Sequence, residues 1–259
     1  MTAPALDAIR SPFEQLRELL KNEAPGAPPI DMTLGEPRHG FPRFARAPIE
    51  RHADTFGKYP PVAGIAELRE AIARWLTVRF ALPEGAIDPD RHVVPLCGSR
   101  EGLVSALFIA AARKKVPRPA VLMPNPFYQA YYAAAWAAHC EAVLLSTSLE
   151  TGFLPDLDAL APEMLGRTVA FYLASPANPQ GAVASKEYLS RLVALARGYG
   201  FYLFVDECYS EIYGATPPAG ALHAAFERED GFERVVVFNS LSKRSNAPGL
   251  RSGFVAGDP

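Results

Sequence analysis

The chain has 259 residues, 49% of them hydrophobic, which is enough to bury a substantial core in one large domain or two small ones. A formal charge of −2 gives no electrostatic case for nucleic acid or an anionic membrane surface, and neither is expected as a partner. Cys97, Cys140 and Cys208 are odd in number, far apart and free of CxxC spacing, and His39, His52, His92, His139 and His223 are scattered; no disulfide framework and no metal site is expected.

In chain order, Met1-Thr2-Ala3-Pro4 lacks a basic stretch leading into an apolar run, and no segment approaches the length of a membrane span, so a soluble, cytoplasmic protein is expected. Residues 12–20 read as a short amphipathic helix with the apolar stripe Phe13, Leu16, Leu19 and Leu20, ahead of the Pro-rich Ala24-Pro25-Gly26-Ala27-Pro28-Pro29. Residues 1–40 are therefore expected to form an N-terminal arm or small-domain segment, and residues 41–259 one larger domain. From about residue 65, strand-like runs at 92–96, 120–123, 142–145, 169–173, 202–205, 235–238 and 254–256 alternate with helical periods. Most of the runs are continuously apolar, as strands covered on both faces should be. The fold class is α/β, a three-layer arrangement of a mostly parallel sheet flanked by helices. Leu68, Ile72 and Leu76 repeat every four residues, and Leu189, Leu192, Val193 and Ala196 form a second stripe after a Ser185 N-cap. Both faces are read as core.

Residues that carry chemistry follow several of these strands. Cys97-Gly98-Ser99-Arg100-Glu101-Gly102 opens a helix whose first amides lack intrahelical partners, which suits a phosphate, although Gly-Ser before a helix is also an ordinary cap. Pro124-Asn125-Pro126-Phe127-Tyr128 places aromatics where a ring could stack on a flat ligand or fill the core. In Ser175-Pro176-Ala177-Asn178-Pro179-Gln180-Gly181 the prolines fix a turn that aims the Asn178 amide. Asp206 ends a strand and precedes Glu207-Cys208-Tyr209, placing a carboxylate and a phenol at the edge where parallel sheets bind ligands; a simple turn cap is the alternative. Finally, Lys243 sits in Ser240-Leu241-Ser242-Lys243 with Arg251 eight residues on. A lysine held near another cation or out of water can bond an aldehyde, and two serine hydroxyls with a guanidinium suit a phosphate. Aldehyde beside phosphate points to pyridoxal 5'-phosphate.

Together, the Ser-Leu-Ser-Lys-x7-Arg element, the Asn-Pro-x-Gly turn and the Asp-x-x-Tyr strand end resemble those of fold-type I pyridoxal-phosphate enzymes, specifically the class I/II aminotransferases, over roughly residues 30–259. The resemblance implies that Lys243 is the Schiff-base lysine, Asp206 the partner of the ring nitrogen, and Asn178 and Tyr209 the donors to the ring oxygen. It implies that Ser99, Arg100, Ser240, Ser242 and Arg251 bind around the cofactor phosphate and that Tyr128 stacks on the ring. Tyr59 in Gly57-Lys58-Tyr59-Pro60 matches a tyrosine that reaches the phosphate of a neighbouring subunit, which implies a homodimer. Gly35 falls in a segment that closes over the substrate carboxylate, with Arg38 as a candidate contact for a distal carboxylate. The run at 12–20, Leu34-Gly35-Glu36-Pro37-Arg38-His39 and Ser175-Pro176-Ala177-Asn178-Pro179 are similar to the succinyldiaminopimelate aminotransferases of bacterial lysine biosynthesis. That implies N-succinyl-LL-2,6-diaminopimelate and 2-oxoglutarate with glutamate as the substrate couple.

The family's C-terminal small domain, which supplies an arginine for the substrate α-carboxylate, would follow Gly257-Asp258-Pro259 and is expected to be missing, leaving the 259-residue chain nearly inactive. Gln180 stands where many relatives have threonine. Another class I/II aminotransferase acting on aspartate, alanine or aromatic substrates, a related lyase, and a non-catalytic fragment that binds the cofactor are the rival readings.

Overall fold

The computed structural model describes residues 12–30, 35, 39–227 and 231–259, and it divides the chain into a unit Met1–Pro37 and a unit Arg38–Pro259. In the first unit the described helix is α1 (Pro12–Leu20), on which Phe13, Leu19 and Leu20 are exposed.

The second unit holds a seven-stranded sheet in the order β1-β7-β6-β5-β4-β2-β3. Its strands are β1 (Val93–Leu96), β2 (Ala120–Asn125), β3 (Glu141–Ser146), β4 (Thr168–Ala174), β5 (Tyr202–Asp206), β6 (Val235–Ser240) and β7 (Gly253–Gly257). All seven expected strands form. The pairs β2·β3, β2·β4, β4·β5 and β5·β6 are parallel, and β7 runs antiparallel between β6 and β1. The central strands β4 and β5 are buried almost throughout, while the edge strand β3 is half-buried or exposed along its length and leaves Leu144 exposed. A strand covered on both faces has no exposed side, and an edge strand does.

The helices of this unit are α2 (Arg46–Arg51), α3 (Ala66–Arg79), α4 (Pro89–His92), α5 (Ser99–Arg113), α6 (Gln129–Ala137), α7 (Pro162–Arg167), α8 (Lys186–Tyr199), α9 (Ala221–Phe226) and α10 (Leu241–Arg244). Helices α5 and α6 cover one sheet face through Leu103, Leu107, Tyr131 and Ala134. Helices α3, α8 and α9 cover the other through Leu76, Leu192 and Leu222. Ser185 caps α8, its Oγ accepting from Tyr188 N at 3.1 Å, and Gly200 ends it in the left-handed region at φ 69°.

Two details differ from expectation. Leu68 is exposed although Ile72 and Leu76 are buried, because each four-residue step overshoots a full turn by about 40° and two steps carry Leu68 off the face. His92 ends α4 rather than opening β1: Asp88 accepts from the amides of Asp90 and Arg91 and starts a helical turn there. Among the described residues, no helix is long and apolar enough to cross a membrane.

Candidate active site

Parallel β2, β4, β5 and β6 share one carboxyl edge, and the antiparallel register Ser240↔Gly253 and Leu96↔Gly253 brings the end of β1 and the start of β7 to that same edge. Apart from the loop after β3, each connection at that edge carries a residue singled out in the sequence: Ser99 and Arg100 after β1, Tyr128 after β2, Asn178 after β4, Asp206 and Tyr209 at the end of β5, Lys243 after β6, and Arg251 before β7. Such an edge is where open α/β sheets bind ligands.

A cradle forms between the start of α5 and the turn before β7. Gly98 caps α5 at φ 96°, and a Cβ there would stand 2.3 Å from Arg251 Nη2. At Gly253 a Cβ would stand 2.6 Å from Asn239 O and 3.2 Å from Ser99 N. Both positions require glycine, since only a backbone without Cβ lets the helix start and the guanidinium approach this closely. Arg251 is held by its own backbone at φ 50° and by Nη1 donating to Pro248 O at 3.1 Å. Ser240 is buried; its Oγ accepts from Ser242 N at 3.1 Å and has Ser242 Oγ at 2.9 Å and Ser252 O at 3.2 Å as acceptors for its own hydrogen. It caps α10 and orients Ser242. The start of α5, the Arg251 guanidinium and the turn that carries Ser240 and Ser242 thus adjoin one another, and amides, guanidinium and hydroxyls are donors suited to a phosphate dianion.

Next to the cradle lies a buried carboxylate. Asp206 accepts from Cys208 N at 3.2 Å through Oδ1 and from Tyr131 Oη at 2.9 Å through Oδ2. It is thus both a turn cap and a presented acid. Burial raises its pKa, partly offset by the bonds from Cys208 and Tyr131, and no cation offsets it among the described residues. Tyr131 is itself buried, stacked on Tyr172 at 4.4 Å between ring centroids, while Tyr172 donates to Leu103 O at 2.6 Å. Burial, then the Asp206 charge, push the Tyr131 phenol far up, which keeps it a neutral donor.

The remaining side chains close a ring of contacts. Asn178 Nδ2 donates to Tyr209 Oη at 3.1 Å, and Lys243 Nζ lies 6.0 Å from the centroid of the Tyr209 ring. Arg100 Nε donates to Tyr128 Oη at 2.7 Å, and Tyr128 meets Tyr131 edge to face at 5.6 Å. Ser99 Oγ and Cys208 Sγ are 3.2 Å apart. Lys243, Asp206, Tyr209, Asn178, Tyr128, Arg100, Ser99, Ser240, Ser242 and Arg251 are therefore gathered in one place. Tyr59 stands fully exposed outside this ring. Gly35 belongs to the unit Met1–Pro37, and Arg38 lies outside the described residues. Tyr131 and Cys208 escaped the sequence reading.

Residues 27–259 match the family described as aminotransferase class I and II. The chain belongs to that family. An LL-diaminopimelate aminotransferase of Desulforudis audaxviator is 34% identical over 250 residues, covering 95% of this chain and 61% of that protein. Among solved structures, an aminotransferase of Neisseria meningitidis has a TM-score of 0.87 at 36% identity, covering 96% of this chain and 63% of that one. Aminotransferase AspB of Helicobacter pylori gives a TM-score of 0.88 at 37% identity, with 96% and 64% covered. The chain thus spans a little over three-fifths of the length of these relatives.

Class I and II aminotransferases use pyridoxal 5'-phosphate, and the residues present fit it. The Gly98 and Gly253 cradle would be closed by a Cβ, the donors around it suit a phosphate, and Asp206 is a buried acid with only neutral donors, the environment a cationic ring nitrogen would complete. Gly98→Ala should raise the Kd for the cofactor by about tenfold or more, because the added carbon strains a positive φ and pushes Arg251 away. Absorbance titration of the variant checks this, and an unchanged Kd would detach Gly98 from phosphate binding.

Behind Asp206, Glu207 is buried; its Oε1 accepts from Ala221 N at 2.8 Å and its Oε2 has no partner among the described residues. Burial raises its pKa to about 7, opposed by the Ala221 bond and by Arg79. The folded state thus holds a proton that the unfolded chain, near its ordinary 4.5, releases. Its contribution to stability is complete below the unfolded value and is lost as pH rises through about 7. The Tm of the cofactor-free chain should therefore fall from about pH 5 to about pH 8, and Glu207→Gln should flatten that fall. Equal slopes in the two proteins would show that Glu207 does not titrate in this range.

Proposed function

We propose that this chain is the cofactor-binding part of a pyridoxal-phosphate aminotransferase that moves an amino group between a diaminopimelate-type amino acid and 2-oxoglutarate, with glutamate as the other product or donor. The observation that supports it most is the gathering of the Lys243 amine, the buried Asp206 carboxylate and the Gly98, Ser99 and Arg251 cradle at one sheet edge. Bound pyridoxal phosphate supplies an aldehyde and an electron-withdrawing cationic ring conjugated to it.

In this reading Arg251, Ser242, Ser99 and the first amides of α5 bind the phosphate, with Ser240 orienting Ser242 and Arg100 fixing Tyr128. Asp206 offers its carboxylate to the ring nitrogen and Tyr131 fixes that carboxylate in place. Asn178 and Tyr209 share one ring oxygen, and Tyr209, already accepting from Asn178, has its own O–H to donate. Tyr128 stacks on the ring. Lys243 would hold the cofactor through Nζ, and the same Nζ would be the base that accepts and returns the proton of the substrate Cα. Tyr59 reaches the phosphate of a second subunit in a homodimer, Gly35 and Arg38 contact substrate carboxylates, and the protein works in the cytoplasm.

The N-succinylated substrate is the first choice, resting on the segments around Gly35 and Asn178. LL-diaminopimelate itself is the second, favoured by the names of the relatives matched. A substrate panel decides. The protein, assayed with 2-oxoglutarate, should give its highest kcat/KM with N-succinyl-LL-diaminopimelate. A maximum with LL-diaminopimelate would select the second reading, and one with aspartate or an aromatic amino acid would overturn both.

A further inference from the structure

The ladder between β5 and β6 ends at the pair Asp206↔Phe238, with Glu207 N donating to Phe238 O at 2.8 Å. Beyond that point the two chains part. One turns through Glu207–Ser210 and carries Tyr209, while the other continues through Asn239 and Ser240 to Lys243. A single fully buried side chain spans the gap. Asn239 Nδ2 donates to Glu207 O at 3.0 Å and to Ser210 Oγ at 3.2 Å, and Asn239 Oδ1 accepts from Ser240 N at 2.8 Å. The turn it grips is closed by Ser210 N donating to Glu207 O at 3.0 Å. The strand it stands on is fixed from the other side, where Asn239 pairs with Phe254 and Ser240 with Gly253.

Both N–H donors and the oxygen of this amide are thus engaged with the two segments that bear the reactive groups. An amide buried without those partners would be costly, so a fully engaged one has one favoured arrangement. Nothing in the reading above uses it. We infer that Asn239 is a positioning residue that sets the spacing between the Asp206–Tyr209 turn and the Ser240–Lys243 segment, so that ring nitrogen, ring oxygen and anchoring amine are met together. The inference rests on the proposed cofactor site.

Asn239→Asp is close to isosteric and keeps the acceptor for Ser240 N, but it removes both N–H donors and sets an oxygen against Glu207 O. Two measurements on the full chain test it: amide hydrogen exchange in the cofactor-free protein, and absorbance titration with pyridoxal phosphate across pH. Loss of the buried bond to Glu207 O, with an oxygen set against it and the Ser210 hydroxyl left to reverse its role, should raise the cofactor Kd by about tenfold or more. It should also speed exchange in residues 207–212 and shift the pH midpoint of the bound-cofactor absorption, which a merely structural role would leave in place. Ser210→Ala removes one end of the clamp and should move the same quantities in the same direction by a smaller factor; it replaces Asn239→Asp if that variant does not fold. A folded variant with exchange, Kd and pH midpoint all unchanged would overturn the inference. Should the unsubstituted chain take up no pyridoxal phosphate, the proposed function falls, while the exchange comparison still decides whether Asn239 holds the turn.

Discussion

On the proposed reading of this site, replacing Lys243 with alanine should reduce transamination by about three orders of magnitude or more, the largest effect expected of any single substitution. A positioned general base contributes roughly 10²- to 10⁴-fold, and here the same Nζ is also the covalent anchor. Lys243 lies where β6 hands over to α10, and its amine approaches the Tyr209 ring. Arg251, Ser242 and the α5 amides remain in the variant, and the cofactor should still bind, reversibly and with the absorption of a free aldehyde. The check is glutamate-dependent turnover alongside an absorption spectrum of the loaded variant. Activity within about tenfold of the unsubstituted protein would remove Lys243 from the chemistry.

The second large effect is expected at Asp206. Asp206→Asn keeps the shape and removes the charge; its one oxygen can still accept from the Cys208 amide, while its NH2 faces the Tyr131 hydroxyl, which must then turn to accept. A charge pair about 4 Å apart at an effective dielectric near 20 is worth roughly 4 kcal/mol before desolvation is subtracted. At about 1.4 kcal/mol per decade that sets the expected loss of kcat at roughly two to three orders of magnitude, with cofactor retained. Because burial already pushes the Asp206 carboxyl up, the ion pair forms only when a cationic nitrogen arrives, and the variant cannot make it. Measuring kcat and cofactor content together separates this from simple loss of binding. Near-normal kcat in a fully loaded variant would reduce Asp206 to the turn cap it also is.

Much of this was legible in the sequence. The seven strands were readable because buried parallel strands leave apolar runs, and the Lys243, Asp206 and Asn178 settings were readable because each follows such a run. The antiparallel insertion of β7 between β1 and β6 was not, since an apolar run carries no direction, yet it is that insertion which brings Arg251 to Gly98. Leu68 was misplaced by treating a four-residue repeat as a straight stripe. Tyr131 and Asn239 were invisible for a different reason. Their importance lies in hydrogen bonds to residues 75 and 29 to 32 positions away, which no local spacing encodes.

The central claim is that Lys243 anchors the cofactor at this sheet edge. Loading the chain with pyridoxal 5'-phosphate, reducing with borohydride, digesting and mapping the modified peptide tests it most directly. The account predicts one labelled peptide, containing Ser240-Leu241-Ser242-Lys243, and loss of that label in Lys243→Ala. Stoichiometric label on a different lysine, or none in a chain shown to hold the cofactor, would contradict it.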